Sequence, residues 1–222
     1  MKLLPKQLDE YIIIQFPIDS LEFDTKIKPF QYLEFARQDL SDGTESRNLI
    51  NSLSNAKRAL HLQVETIAQG YGYKKLKRSS KFPAKLEFLG EIGIATPSII
   101  SKLNVLRNKV EHDYIVPEVE QIKDYCDIVE LFLHATEAPI NTFPINVKFQ
   151  PIESSEVTEI DSPHLSQLPE YLTIDLVKFE GEISIYGFNL DGSNEIDQKV
   201  TAEDPEYSKW INQILRHVLR RT

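Results

Sequence analysis

Residues 106–114 read LRNKVEHDY, a stretch in which four different polar groups follow one another closely. It carries a permanent cation, an amide, an imidazole and a phenol, on Arg107, Asn108, His112 and Tyr114. Upstream, Ser98 is a predicted N-cap, and apolar residues then recur at three- and four-residue spacing as far as Val110. The pattern predicts that the four polar side chains lie near the C-terminal end of an amphipathic helix.

Helical patterns continue on both sides of this stretch. Apolar spacing predicts a short helix over residues 29–40, a long one over 45–68 and a third over 83–92. A further helix is predicted over residues 118–136. Because short connections join the helices, we expect an antiparallel helical bundle.

Strand patterns lie outside the predicted bundle. Residues 11–16 form a β-branched run, and residues 143–152, 171–179 and 183–188 alternate between apolar and polar. Pro205 begins a predicted terminal helix. We therefore expect a mainly α fold with an appended small α+β part of antiparallel strands and a terminal helix. The expected organisation is an N-terminal strand segment, residues 1–26, that pairs with the C-terminal sheet, then the helical bundle, 27–138, and the α+β extension, 139–222.

The composition of the chain argues against several classes of protein and of functional site. The formal net charge of the 222 residues is -9, which opposes broad electrostatic affinity for nucleic acid. From Thr142 onward there are 7 basic and 14 acidic residues, against 18 and 20 in the rest, so the acidity lies mostly in the C-terminal part. The single cysteine, Cys126, excludes an intramolecular disulfide and a cysteine-based zinc site. Without an apolar run long enough for a membrane span or a secretory signal, we expect a cytoplasmic protein with no membrane partner.

Helical geometry separates the polar side chains of residues 106–114 into two directions. Arg107 and His112 are five residues apart, so their directions on an ideal helix differ by about 140°. Asn108 and His112 share a face, whereas Arg107 lies over Glu111. A purely structural interpretation is therefore available, in which Arg107 pairs with Glu111 and His112 caps carbonyls at the helix end.

The spacing R-N-x-x-x-H-x-Y within this order of helices resembles the HEPN family, a helical-bundle group. Residues 32–40 are similar to its first helix, 47–67 to its long second helix, 103–114 to the motif helix and 122–133 to the closing helix. The similarity covers about half of the chain. The β-rich C-terminal part departs from the minimal fold of the family.

The resemblance implies an endoribonuclease that needs neither metal nor cofactor, in a toxin or an anti-phage defence effector. The ribose 2'-OH would attack the adjacent phosphate and leave a 2',3'-cyclic phosphate and a 5'-OH. An imidazole titrates near neutral pH, which suits His112 as the proton-transfer group, and Arg107 would stabilise the charge on the phosphorane. Asn108 would orient His112 or donate to a phosphate oxygen. Because one chain supplies one histidine here, we expect a homodimer that brings two copies of the motif to one cleft.

Tyr114 extends the motif to R-x4-H-x-Y. Toxins of the family with this form of the motif are paired with a nucleotidyltransferase antitoxin that adenylylates the tyrosine. The resemblance therefore implies such a partner, with Tyr114 as the modified residue. An added anion beside Arg107 would block an RNA site. The simpler alternative is that Tyr114 is an aromatic anchor at the helix end.

Residues 71–81 contain five cations and no acid. We call this segment the cationic loop, and its basic residues are Lys74, Lys75, Lys77, Arg78 and Lys81. One interpretation is a substrate-binding patch for RNA phosphates, and the other is a solvated loop.

A function from a different class is also open. The chain could be a non-catalytic HEPN-like protein-interaction module in a toxin-antitoxin or defence complex, with its acidic C-terminal part on a protein partner. The intact motif favours the enzyme, whereas the net charge and the acidic extension favour the module.

Overall fold

The computed structural model describes residues 2–94, 116, 118–152, 168–191 and 195–220. The predicted helix that carries residues 106–114 lies outside the described residues. In the described part, two N-terminal strands are followed by a group of helices, a group of five strands and a last helix. The elements in chain order are a 3-10 helix Pro5–Glu10, β1 Tyr11–Gln15, β2 Ile18–Asp19, α1 Pro29–Asp42, α2 Ser46–Gly70, a 3-10 helix Tyr73–Leu76, α3 Phe82–Glu91, α4 Val119–Ala135, α5 Glu137–Asn141, β3 Phe143–Pro144, β4 Asn146–Pro151, β5 Tyr171–Val177, β6 Glu182–Phe188, β7 Ile196–Thr201 and α6 Tyr207–Leu219.

Helix α2 is the centre of the helical part. Its apolar stripe runs from Leu49 to Ile67 without proline or glycine, and it packs against α1, α3 and α4. Gln63 is buried in this contact, where its Nε2 donates to Thr136 Oγ1 at 2.9 Å and to the Leu133 carbonyl at 3.3 Å. At the surface, Arg37 on α1 pairs with Asp127 at 2.9 Å and Glu130 at 2.6 Å on α4.

The strands form an antiparallel five-stranded sheet in the order β1-β4-β5-β6-β7, and β2 pairs with β3 in a separate two-stranded sheet. The N-terminal strand β1 lies at one edge, where Ile13 pairs with Phe149 of β4. Alternate residues of each strand face inward and are buried together with Trp210 and the other apolar residues of α6. The N-terminal 3-10 helix also contacts α6.

The predicted fold class is wrong: the chain is an α+β protein, and not mainly a helical bundle with a small β part. The sheet is larger than expected partly because β7 completes it, and the sequence pattern of β7 does not show a strand. Its inward positions are Ile196, Gln198 and Val200, so a polar residue interrupts the alternation. Gln198 is accommodated because its side chain accepts from the Leu3 amide at 2.9 Å and donates to the Leu3 carbonyl at 3.2 Å. One hydrophobic cluster contains residues of both the helices and the sheet.

Two glycines bring the helical part and the sheet into contact. Gly72 follows α2 with φ of +80°, and Gly181 lies in the β5–β6 turn with φ of +64°. A Cβ on Gly72 would overlap the Cα of Gly181 and would lie 2.7 Å from the Tyr207 hydroxyl oxygen. That hydroxyl donates to the Tyr71 carbonyl at 3.1 Å. We call Gly72, Gly181 and the Tyr71–Tyr207 hydrogen bond the glycine junction.

We expect Gly72→Ala to lower the free energy of unfolding by about 3 kcal/mol, since it adds a left-handed backbone penalty to a steric overlap with backbone. The measurement is chemical denaturation followed by the fluorescence of Trp210, the single tryptophan. Lys74→Ala, two residues away at an exposed position, is the matched control and should change stability by less than about 0.5 kcal/mol. Equal stability of the two variants would contradict the steric account.

Acid should destabilise the fold through His217 on α6. Burial lowers the pKa of this imidazole, although the nearby Asp9 and a hydrogen bond with the Leu8 backbone oppose the shift. The ring also packs edge-on against Phe149 at 5.6 Å. Because the unfolded chain binds this proton more readily, the stability that neutral His217 allows is present above about pH 6.5 and is lost as the pH falls below it.

We expect His217→Gln, which keeps a donor without a titrating ring, to show a smaller loss of stability between pH 7.5 and pH 5 than wild type. Denaturation at both pH values measures it, and the pH 7.5 difference corrects for any change in packing. Parallel loss in the two proteins would rule out His217 as the cause.

Candidate functional site

The predicted catalytic residues lie outside the described residues. This holds for Arg107, Asn108 and His112, and also for Tyr114. The described helices that flank them in the sequence are α3, which ends at Glu91, and α4, which begins at Val119. Their catalytic roles, and the modification of Tyr114, therefore stay predictions.

The cationic loop is described, and its backbone is ordered by local geometry. Its first part is the 3-10 helix Tyr73–Leu76, which follows the left-handed Gly72. The helix is capped at its end by Lys77, which is itself left-handed with φ of +53°. Lys81 is the N-cap residue of α3, and its backbone amide donates to Ser79 Oγ at 3.3 Å. The glycine junction thus holds the loop against the β5–β6 turn.

Three of the five cations of the loop form ion pairs with acids from other elements. Lys75 Nζ lies 3.0 Å from Glu180 Oε2 and Arg78 Nη1 lies 2.6 Å from Glu91 Oε1. Lys77 pairs with Glu203. A second oxygen of Glu91 accepts from Ser208 Oγ at 2.9 Å, which fixes this carboxylate between α3 and α6.

The pKa shifts follow from these pairs. The hydrogen bond with Glu203 raises the pKa of Lys77, and the same contact lowers the pKa of the Glu203 carboxyl. The hydrogen bond with Glu91 likewise raises the pKa of Arg78. Lys77 and Arg78 therefore stay protonated, but a phosphate would have to displace a carboxylate from each of the three paired cations.

Lys74 and Lys81 are the remaining cations of the loop, and both are exposed. The hydrogen bond from Lys85 is the largest cause of the lowered pKa of Glu65, and the charge of Lys74 is the smallest. The loop therefore presents a partly neutralised surface rather than five independent positive charges. Because exposed ion pairs of this kind are weak, exchange of a carboxylate for a phosphate remains energetically accessible, and RNA binding by the loop stays a prediction.

An open depression of about 430 Å³ lies between the loop and the start of α6. Its walls combine Lys77 and Arg78 with Glu203 and Asp204. Asp204 has a structural task here, because its Oδ1 accepts the backbone amide of Glu206 at 2.8 Å just before α6 begins. Within the described ranges, no group of three or more His, Cys, Asp or Glu residues is arranged to hold a metal ion.

Sequence reasoning missed a surface on the sheet. Its outward face, opposite α6, exposes Ile12, Tyr186 and Phe188 near one end, and Leu190, just after β6, is exposed as well. Tyr171 lies beside them, stacked on Phe188 at 5.5 Å between ring centroids. Strand alternation predicts which residues point outward, but it does not show that the outward aromatics of different strands meet.

Comparison of the chain with protein-family models, with curated proteins and with solved structures gives no match. The HEPN resemblance therefore rests on the residues of the sequence alone. In the part of the chain that the structure describes, no helix combines the length and the apolar character needed to cross a bilayer.

Freeing the loop cations should strengthen RNA binding if the loop contacts phosphates. We expect Glu91→Gln, Glu180→Gln and Glu203→Gln, combined in a His112→Ala background that prevents cleavage, to lower the Kd for a single-stranded RNA several-fold. The dependence of log Kd on log salt should steepen by about 0.7 for each additional phosphate contact. Fluorescence anisotropy over a salt series measures both.

The matched control changes the same number of exposed acids away from the loop, as Glu34→Gln, Asp42→Asn and Glu45→Gln. A gain that is equal in the two triple variants reflects net charge alone and argues against a phosphate site in the loop.

Proposed function

We propose that this chain is a metal-independent endoribonuclease of the HEPN type that acts in the cytoplasm as a toxin or an anti-phage defence effector. The observation that carries the proposal is the spacing of Arg107, Asn108, His112 and Tyr114 within a predicted amphipathic helix. The chain order adds support, because amphipathic helices precede and follow this stretch at α1, α2 and α4. The five-stranded sheet is an addition to this catalytic part.

The proposed reaction is an internal transesterification. The ribose 2'-OH loses its proton to the imidazole of His112 as its oxygen bonds to the adjacent phosphorus. Arg107 stabilises the added negative charge on the phosphorane, and Asn108 orients the imidazole or donates to a phosphate oxygen. The bond to the 5'-oxygen then breaks, that oxygen takes a proton, and the products are a 2',3'-cyclic phosphate and a 5'-OH.

The reaction requires two proton-transfer groups, one to accept and one to donate. On one ideal helix Arg107 and His112 point about 140° apart, so a single copy supplies an incomplete set. We therefore propose a homodimer in which the motifs of two protomers share one cleft. In such a cleft, adenylylation of Tyr114 by a nucleotidyltransferase antitoxin would add an anion where RNA phosphate has to bind.

A second candidate function is favoured by the ion pairs of the cationic loop. Glu180 and Glu203, from the acidic C-terminal part, neutralise Lys75 and Lys77, which are two of the cations that RNA would need. This arrangement suits a non-catalytic module that binds a protein partner. The two functions differ in one respect that can be measured, namely whether His112 is needed for RNA cleavage.

We expect wild-type protein to cleave RNA in the presence of a chelator and to leave cyclic-phosphate and 5'-OH ends. His112→Ala should lower the cleavage rate by a factor of about 10² to 10⁴, the usual contribution of a general acid-base group. Gel analysis of the fragments with end-group chemistry measures the rate and the product. Sedimentation should show that the variant remains a dimer.

His134→Ala is the matched control, because it removes an exposed histidine at the end of α4 and should leave cleavage unchanged. Undiminished cleavage by the His112 variant, or 3'-hydroxyl products, would overturn the proposed chemistry. Absence of cleavage by the folded wild-type dimer would favour the interaction module.

A further inference from the structure

The outward face of the sheet carries large apolar side chains on three of its strands, β1, β5 and β6. Tyr171 of β5 pairs with Phe188 of β6, and Thr173 pairs with Tyr186. At the edge, Ile12 of β1 pairs with Gln150 of β4, which the register brings alongside Tyr171. Directly opposed residues lie on the same face of a sheet. We call this surface the aromatic platform, formed by Ile12, Tyr171, Tyr186, Phe188 and Leu190.

The side chains of the platform are large and apolar, and they are unusually exposed for side chains of that kind. Tyr186 is 43% exposed, Phe188 48% and Leu190 77%. Farther along the same face, the outward residues are polar, as in the opposed pair Asp175 and Ser184. A solvated sheet face normally continues this polar pattern, and a local group of exposed large apolar residues marks an interaction surface.

The platform is also held rigidly. The Tyr171 and Phe188 rings are stacked with an interplanar angle of 22°. Between Tyr186 and Phe188, Gly187 allows Pro169 to pack closely beneath the strand, since a Cβ there would lie 2.7 Å from Pro169 Cγ. The Pro169 carbonyl in turn accepts from the buried Tyr11 hydroxyl at 2.9 Å. The two stacked rings would therefore lose little side-chain entropy when a partner binds.

Acidic groups flank the platform on both sides. Asp197 of β7 pairs in register with Tyr186, and the Glu170 carboxylate accepts the Leu190 amide at 2.9 Å. The same face also carries Lys148, opposite Thr173, while Lys199 lies 2.8 Å from Glu182. With Asp175 included, these groups total four acids and two cations.

We propose that the aromatic platform binds a protein segment in which arginine or lysine alternates with apolar residues. Apolar side chains of the segment cover Leu190 and Ile12, and its cations lie over the rings of Tyr186 and Phe188 between Asp197 and Glu170. The inference rests on the second candidate function, the protein-interaction module, and supplies the surface and the charge of its partner. It is compatible with RNA cleavage elsewhere on the chain.

Two other occupants fit the platform less well. Bases of single-stranded RNA can stack on exposed aromatics, but their phosphates would meet the flanking acids without a cationic groove to follow. A second copy of this chain, face to face, would oppose the same net negative surface to itself. Both therefore lack the charge complementarity of a basic segment.

The experiment measures binding of three labelled synthetic peptides to the full chain: alternating Arg and Leu, alternating Glu and Leu, and alternating Arg and Ser. We expect saturable binding of the Arg–Leu peptide that weakens with salt, and at least tenfold weaker binding of the other two. Tyr186→Ser combined with Phe188→Ser should weaken Arg–Leu binding at least tenfold, and Asp197→Asn about three- to fivefold. Val177→Ser, an exposed residue at the far end of β5, is the matched control and should stay within twofold.

Buried Trp210 reports whether each variant remains folded. Equal Arg–Leu binding by wild type and the Tyr186/Phe188 variant would overturn the platform while leaving a protein-binding module possible. Absence of saturable peptide binding would overturn the platform as well. Binding of a single-stranded RNA that the Tyr186/Phe188 variant loses, without any loss of peptide binding, would reassign the surface to nucleic acid. Cleavage assays on the same variants report separately on the ribonuclease.

Discussion

The close approach of Gly72 and Gly181 is the contact on which the relation between helices and sheet depends. It places the end of α2 directly against the β5–β6 turn, and the Phe179 amide donates to the Gly70 carbonyl at 3.0 Å beside it. Burial raises the pKa of the Tyr207 phenol, so the hydroxyl keeps the proton that it donates to Tyr71. The cationic loop begins at this contact. Its ion pairs with Glu180 and Glu203 are therefore a result of how the two halves are joined.

Sequence periodicity predicts most of the individual helices and strands, but it does not predict the size of the sheet or the fold class. The apolar spacing over residues 29–40 corresponds to α1, and the β-branched run over residues 11–16 corresponds to β1. Strand β7 is invisible to the same reasoning because Gln198 faces inward, and its partner is the backbone of Leu3, 195 residues away. When β7 is left out, the sequence predicts only a small β part, and the predicted fold class is wrong. A local pattern cannot reveal a polar residue that is satisfied by a distant segment.

For the candidate site, the sequence predicts which residue types are present but not which residues contact one another. The cations of the loop are evident from the sequence, but Lys75 and Glu180 are 105 residues apart, and Lys77 and Glu203 are 126 apart. The acidity of the C-terminal part indicates that the loop cations can be neutralised, but it does not identify which acids pair with them. Outward positions on β5 and β6 follow from alternation, whereas the stacking of Tyr171 on Phe188 follows from register. Register in turn depends on the turn that closes at Gly181.

The contacts of the N-terminal residues with strands far along the chain constrain how the protein acquires its structure during synthesis. Leu3 binds Gln198, and β1 needs β4, so these early residues have no partner until most of the chain has been made. At about 5–20 residues per second, the ribosome adds residue 198 roughly 10 to 40 s after residue 3. Helices α1 to α4 consist largely of local contacts and can form within that interval. Until β4 has been made, the β-branched edge strand β1 lacks its pairing partner and is open to non-native strand pairing.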